Sequence, residues 1–109
     1  MDKKKALSAF AALSQPTRLD VFRLLVKAGE TGLVAGEISD QLDVRQNTLS
    51  ANLTILVQAG LIRNRREGRS IRYHVDLNGM RGLLSFLMED CCGGNPALCK
   101  PILDELACC

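Results

Sequence analysis

The chain has 109 residues, a net charge of +2 and 47% apolar residues, of which only Phe10, Phe22, Phe86 and Tyr73 are aromatic. A mass of 11.9 kDa allows one domain with a core that is thin for a lone monomer. No apolar run approaches a membrane span, and Met1-Asp2-Lys3-Lys4-Lys5-Ala6-Leu7 lacks the features of a secretory signal, so a membrane role is excluded and a cytosolic protein is expected.

In chain order, Leu7, Phe10, Ala11 and Leu13 recur at helical spacing and predict a first helix over 4–13. Ser14-Gln15-Pro16 breaks it, with Ser14 as the candidate cap and Pro16 suited to the first turn of a second helix. That helix is expected to bury Leu19, Phe22, Leu25 and Val26 and to stop at Gly29. Residues 30–34 read as a loop with a short extended piece. A short helix over about 35–42 follows, with Ile38 and Leu42 inward, then the three-residue turn Asp43-Val44-Arg45. A further helix over about 46–58 carries the inward stripe Leu49, Leu53, Leu56 and Val57 and closes at Gly60. Two alternating segments flank Glu67-Gly68 and predict a hairpin. A last helix over about 78–90 sets Met80, Leu83, Leu84, Leu87 and Met88 on one broad face, and Gly93-Gly94-Asn95-Pro96 ends it.

Two helices joined by a three-residue turn and followed by a basic hairpin make a winged helix-turn-helix: mainly α, five helices plus a β-hairpin wing. Residues 1–90 form the predicted DNA-binding and dimerisation domain, and 91–109 a cysteine-rich tail.

Opposite its buried leucines, the helix over 46–58 shows Asn47, Ala51, Thr54 and Gln58, with Ser50 at the edge and Gln46 and Arg45 ahead of them. Short side chains permit close approach to a major groove, and amides pair with base edges. The hairpin supplies Arg65, Arg66, Arg69 and Arg72 for phosphates or a minor groove. Charge is distributed accordingly: 61–82 holds six arginines against Glu67 and Asp76, whereas 89–109 holds Lys100 against four acids. A solvated amphipathic helix beside a solvated hairpin would share each feature alone; their order and spacing together favour double-stranded DNA. His74, the only histidine, alternates with arginines and reads as structural.

The chain resembles the ArsR/SmtB family of metal- and metalloid-responsive repressors. The likeness rests on Leu13-Ser14-Gln15-Pro16-Thr17-Arg18-Leu19, on Gly36-Glu37-Ile38-Ser39, on Gln46-Asn47-Thr48-Leu49-Ser50 and on Leu56-Val57-Gln58-Ala59-Gly60-Leu61-Ile62. Arg66-Glu67-Gly68-Arg69 and Tyr73 match the wing, and the resemblance covers about 6–90. It implies a homodimer packed through its first and last helices, bound to a palindromic operator and released by an inducer. Ala51 stands where family members often place a histidine, so readout there is weak or apolar and the operator sequence is open.

Two inducer sites common in such a family are missing: Glu37-Ile38-Ser39-Asp40-Gln41-Leu42 holds no cysteine, and 83–88 offers no His or acidic ligand. All five cysteines instead fall in the last 19 positions, at Cys91, Cys92, Cys99, Cys108 and Cys109. In a cytosolic protein these are reduced thiols. Gly93-Gly94 would let Cys99 fold back on Cys91-Cys92 to surround one soft centre. Trivalent arsenic bonds three thiolates in a pyramid, whereas zinc prefers four ligands. Antimony(III) and copper(I) suit soft ligands too, and a redox- or persulfide-sensing repressor of the same fold is the alternative. The chain is similar in this to arsenite-responsive members with Cys-Cys-x6-Cys beyond the last helix. That similarity implies Cys91, Cys92 and Cys99 as ligands for the inducer As(III) or Sb(III), with no cofactor needed for folding. An enzyme is not expected, since no general base neighbours the cysteines and Cys-x-x-Cys is absent.

Overall fold

The computed structural model describes residues 1–89, 93 and 96–105, with backbone alone at positions 96, 99 and 103. Cys91, Cys92, Cys108 and Cys109 lie outside the described residues.

Helix α1 (Lys3–Leu13) opens at Asp2, whose carboxylate accepts the Lys5 N–H at 2.8 Å. It buries Ala6, Ala9 and Ala12, three residues apart, and leaves Leu7 and Phe10 exposed. Alanine at every contact lets the helix approach its neighbours closely, which is why its larger apolar residues stay outside. Gln15, rather than Ser14, caps helix α2 (Pro16–Ala28): its side-chain oxygen accepts the Arg18 N–H at 2.7 Å. Ser14 instead closes α1, its hydroxyl donating to the Phe10 carbonyl at 2.9 Å.

Helix α2 faces the core with Val21, Phe22 and Leu25. The expectation that Leu19 and Val26 are buried is corrected: they are 41% and 54% exposed. They sit one heptad apart, to one side of the buried stripe, so rotation of the helix towards Val21 carries both outward. A single 3-10 turn, Gly29–Thr31, leads to strand β1 (Leu33–Val34). The short extended piece thus gains a role that the sequence left open, as β1 pairs with the wing and makes it three-stranded.

Helix α3 (Ala35–Leu42) buries Ile38 and ends at Asp43 in the left-handed region, φ 52°. Ser39 fastens the turn, its hydroxyl donating to the Val44 carbonyl while the Val44 N–H donates to the Ser39 carbonyl at 3.1 Å. Helix α4 (Gln46–Gln58) follows at once, burying Leu49, Asn52, Leu53 and Leu56. Its exit is a Schellman motif: Leu61 N–H reaches the Leu56 carbonyl at 3.1 Å and Gly60 N–H the Val57 carbonyl at 3.0 Å, with Gly60 at φ 77°.

Strands β2 (Ile62–Glu67) and β3 (Ser70–Val75) form the wing, in sheet order β1-β3-β2. All pairings are antiparallel, with Leu33 opposite Tyr73 and Arg63 opposite His74. The two-residue loop is Gly68-Arg69, one residue later than the sequence suggested, with positive φ at Gly68 only. Helix α5 (Leu77–Leu87) starts beside the exit of α4, where the Asp76 N–H donates to the Leu61 carbonyl at 2.9 Å. It ends at Leu87 with Met88 as its C-cap, short of the expected bound at 90, which lies outside the described residues, and the acidic Glu89 that follows is disfavoured at a helix C-terminus. Of its expected apolar face only Leu83 is buried; Leu84 and Leu87 are 42% and 51% exposed.

A sixth helix, α6 (Pro96–Glu105), runs through the tail and includes Cys99. No described helix is long and apolar enough to cross a membrane.

Candidate nucleic-acid interface

Three features aim α4 outward. Its buried stripe fixes its rotation, the Ser39–Val44 bonds fix its angle to α3, and the Gly60 exit fixes its far end. The opposite face is therefore solvent-facing, with Gln46, Asn47, Ser50, Ala51, Thr54 and Gln58 all exposed. The amino end carries no side-chain cap, since Arg45 only begins the helix with its carbonyl, 2.9 Å from the Leu49 N–H. The first N–H groups of a helix with no side-chain cap suit a phosphate oxygen. Thr54 folds back, its hydroxyl donating to the Ser50 carbonyl at 3.0 Å. Asn47 Oδ1 accepts the Thr48 N–H at 2.9 Å, so the uncommitted polar groups of this face near the amino end are Gln46, the Asn47 amide N–H and Ser50, with Ala51 beside them.

The wing arginines divide into two kinds. Glu67 is clasped by Arg65 Nη2 at 2.8 Å and Arg72 Nε at 3.0 Å, and those two hydrogen bonds hold its carboxyl below the usual carboxylate range. Arg72 also donates through Nη1 to the Thr31 carbonyl at 3.1 Å. It fastens the wing to the turn after α2 and is committed within the fold, although the sequence placed it among the DNA-gripping residues. Arg66 folds over the tip, Nε to the Gly68 carbonyl at 3.3 Å. Arg69, at the tip itself, is exposed and makes no ion pair or side-chain hydrogen bond among the described residues.

The sequence reading missed the group that seats α4. Arg18 donates through Nε to the Ala12 carbonyl at 2.7 Å, through Nη2 to the Ala11 carbonyl at 3.5 Å and through Nη1 to Asn52 Oδ1 at 3.2 Å. One guanidinium thereby joins α1, α2 and the recognition helix. The available signal was Asn52 itself, an amide between Leu49 and Leu53 on an otherwise apolar stripe, which requires a partner when buried.

Among the described residues no group of three metal-ligating side chains converges. The thiols expected to do so fall outside that description, apart from the backbone of Cys99 in α6.

An outward recognition helix and an arginine-tipped wing define a DNA-binding winged helix-turn-helix protein. Residues 13–65 match a helix-turn-helix domain family. The chain is 36% identical over 86 residues to an uncharacterized helix-turn-helix-type transcriptional regulator of Methanocaldococcus jannaschii, covering 79% of this chain and 94% of that one. It is 30% identical over 82 residues to the transcriptional repressor SdpR of Bacillus subtilis, covering 75% and 88%. The fold superposes on an ArsR-like transcriptional regulator of Rhodococcus sp. RHA1 with a TM-score of 0.71 at 24% identity, over 95% of this chain and 93% of that structure. The chain belongs to the helix-turn-helix-type transcriptional regulators.

Proposed function

We propose that this regulator is a homodimeric repressor which leaves its operator when As(III) or Sb(III) binds the thiolates of Cys91, Cys92 and Cys99. The observation that carries the DNA-binding part is the exposed set Gln46, Asn47, Ser50 and Ala51 together with the wing-tip Arg69, which is unpaired among the described residues. Dimerisation is supported by Leu84 and Leu87, half-exposed on the last helix of the domain, in a chain whose own core is small. A Mycobacterium bovis winged helix-turn-helix domain of the same fold is homodimeric.

The chemistry of the donor set supports the metalloid. Three thiolates suit a thiophilic, three-coordinate ion. A Halobacterium salinarum relative, 34% identical over 73 residues, is named for an arsenical resistance operon, and this chain covers 56% of its length. Cys99 lies in the first turns of α6. Joining it to Cys91-Cys92 draws α6 towards the end of α5, and so onto the helix that carries the proposed dimer seam. A change in that seam alters the separation of the two recognition helices, which must match successive major grooves.

The test is fluorescence anisotropy of promoter DNA with reduced protein. Arsenite is expected to release DNA from the wild type but not from Cys91→Ser, Cys92→Ser or Cys99→Ser proteins. Release from all three variants as readily as from the wild type would remove the proposed site. A second reading is a thiol-redox-sensing repressor, favoured by the vicinal Cys91-Cys92 and Cys108-Cys109 pairs and by structural similarity to HlyU of Vibrio cholerae, which has been solved in a reduced form. It predicts release by peroxide or persulfide in the absence of metalloid.

A further inference from the structure

A groove of about 780 Å³ opens between the end of α2, the wing and the start of α5, and no residue of the recognition helix lines it. Its size falls within the range of roughly 300–1,000 Å³ usual for small-molecule sites. The apolar part is built by Leu25, Val75 and Met80, which pack into or against the core, and is extended by the exposed Val26 and Leu77.

The polar part comes from one face of the sheet. Residues opposite one another in an antiparallel pair share a face, so the registers Arg63–His74 and Arg65–Arg72 align all four on one side. Arg63, Arg65 and His74 reach the groove, as does Glu30 from the turn after α2. Arg65 is paired with Glu67 and Arg72 is turned to Thr31, whereas Arg63 and His74 have no ion pair or side-chain hydrogen bond among the described residues. With His74 neutral, two arginines against Glu30 leave a lining charge of +1.

We propose that this groove binds a single straight-chain carboxylate of the fatty-acid type, its headgroup against Arg63 and His74 and its chain along Val26, Val75, Leu77 and Met80. An apolar wall ending in one unneutralised cation matches a ligand with one anionic end and a hydrocarbon body. A dianion exceeds the available charge, and a neutral apolar molecule leaves the positive end of the groove uncompensated. The potential at this end is already positive: burial first, then the neighbouring Arg65, Arg63 and Arg72, opposed by Glu67, holds the His74 imidazole below its ordinary value. A bound carboxylate reverses that effect, which gives the site its own spectroscopic signature. The inference stands apart from the arsenite reading, because none of these residues is a cysteine.

The probe is decanoate below its micelle-forming concentration, titrated into the full-length reduced protein by calorimetry and NMR. Saturable binding is expected, with movement of the Met80 methyl resonance and a rise in the His74 titration midpoint. Decan-1-ol is expected to bind at least tenfold more weakly, and Arg63→Gln to weaken decanoate at least tenfold without affecting decanol. Arg63→Glu is the second variant and should abolish decanoate binding. Equal binding of decanol and decanoate, or no saturable response, would overturn the proposal. So would Leu77 and Met80 resonances that follow protein dilution rather than decanoate, which would show a second copy of the chain covering the groove.

Discussion

The guanidinium of Arg18 on α2 lies 3.2 Å from Asn52 Oδ1 on the recognition helix, and the same group takes the carbonyls of Ala11 and Ala12 at the end of α1. Those two carbonyls belong to the last turn of α1, where the Ala11 carbonyl also takes the Ser14 N–H at 3.2 Å. A cation there is favoured by the helix dipole as well as by the hydrogen bonds. Asn52 is buried between leucines and depends on Arg18 for a partner to its side-chain oxygen.

Removing this clasp costs stability and loosens α4 together. Arg18→Ala is expected to destabilise the fold by roughly 2–3 kcal/mol, since it leaves the Ala12 carbonyl and the oxygen of the buried Asn52 without that donor. Asn52→Ala should cost less, roughly 1–2 kcal/mol, and the double variant less than the sum of the two. Urea unfolding of the four proteins measures this. Strict additivity would show that the 3.2 Å contact carries no coupling.

A second prediction concerns the junction of α4 and α5. A Cβ placed on Gly79 would lie 1.8 Å from the Gly60 carbonyl oxygen, a backbone atom held by the Schellman turn. Gly79 must therefore be glycine for the first turn of α5 to dock. Gly79→Ala is expected to lower stability by about 2–4 kcal/mol, through a backbone shift that outweighs the helix-propensity gain of about 1 kcal/mol. Thermal unfolding checks the sign; Gly36→Ala, where added atoms meet open space, is the control.

How far the sequence carried the fold can be judged from these same residues. Periodicity and capping chemistry located all five domain helices and the wing, because Gly60, Pro16 and the leucine stripe of α4 act locally. The facing of α1 and α2 was not legible. Leu7, Leu19 and Val26 are apolar and helix-spaced, yet the contacts are made by Ala6, Ala9, Ala12 and Val21, and only tertiary packing decides between the two sets. The outward set on α4 could be read by subtraction from the buried stripe. Whether an arginine of the wing faces outward could not, since Arg72 and Arg69 differ only in what lies across the sheet and beyond its edge.

That difference yields a third prediction. Arg69 at the tip of the wing is unpaired among the described residues, and its removal should reduce the slope of log affinity against log salt by about 0.9 per subunit, about 1.8 for the proposed dimer, the value for one phosphate contact from each wing. Its unfolding temperature should be unchanged. Arg72→Ala should do the reverse, lowering the unfolding temperature by freeing the wing from Thr31 and Glu67. Equal salt slopes for wild type and Arg69→Ala would show that the wing tip does not touch the backbone of the operator.

The last prediction follows from His74. Its folded pKa lies below the ordinary 6.5, chiefly through burial and then through Arg65, Arg63 and Arg72. The folded protein therefore binds this proton more weakly than the unfolded chain does. The sign follows by linkage: the neutral imidazole's contribution is fully present above about pH 6.5 and is lost as pH falls through the unfolded value. As the chain has one histidine, its ring resonances report the midpoint directly, and that midpoint is expected below 6.5. His74→Gln should flatten the stability profile between about pH 5 and 7 relative to wild type, leaving the carboxylate-driven fall at lower pH. A His74 midpoint above 6.5 would mean that an anion, rather than the three arginines, dominates the field at this end of the wing.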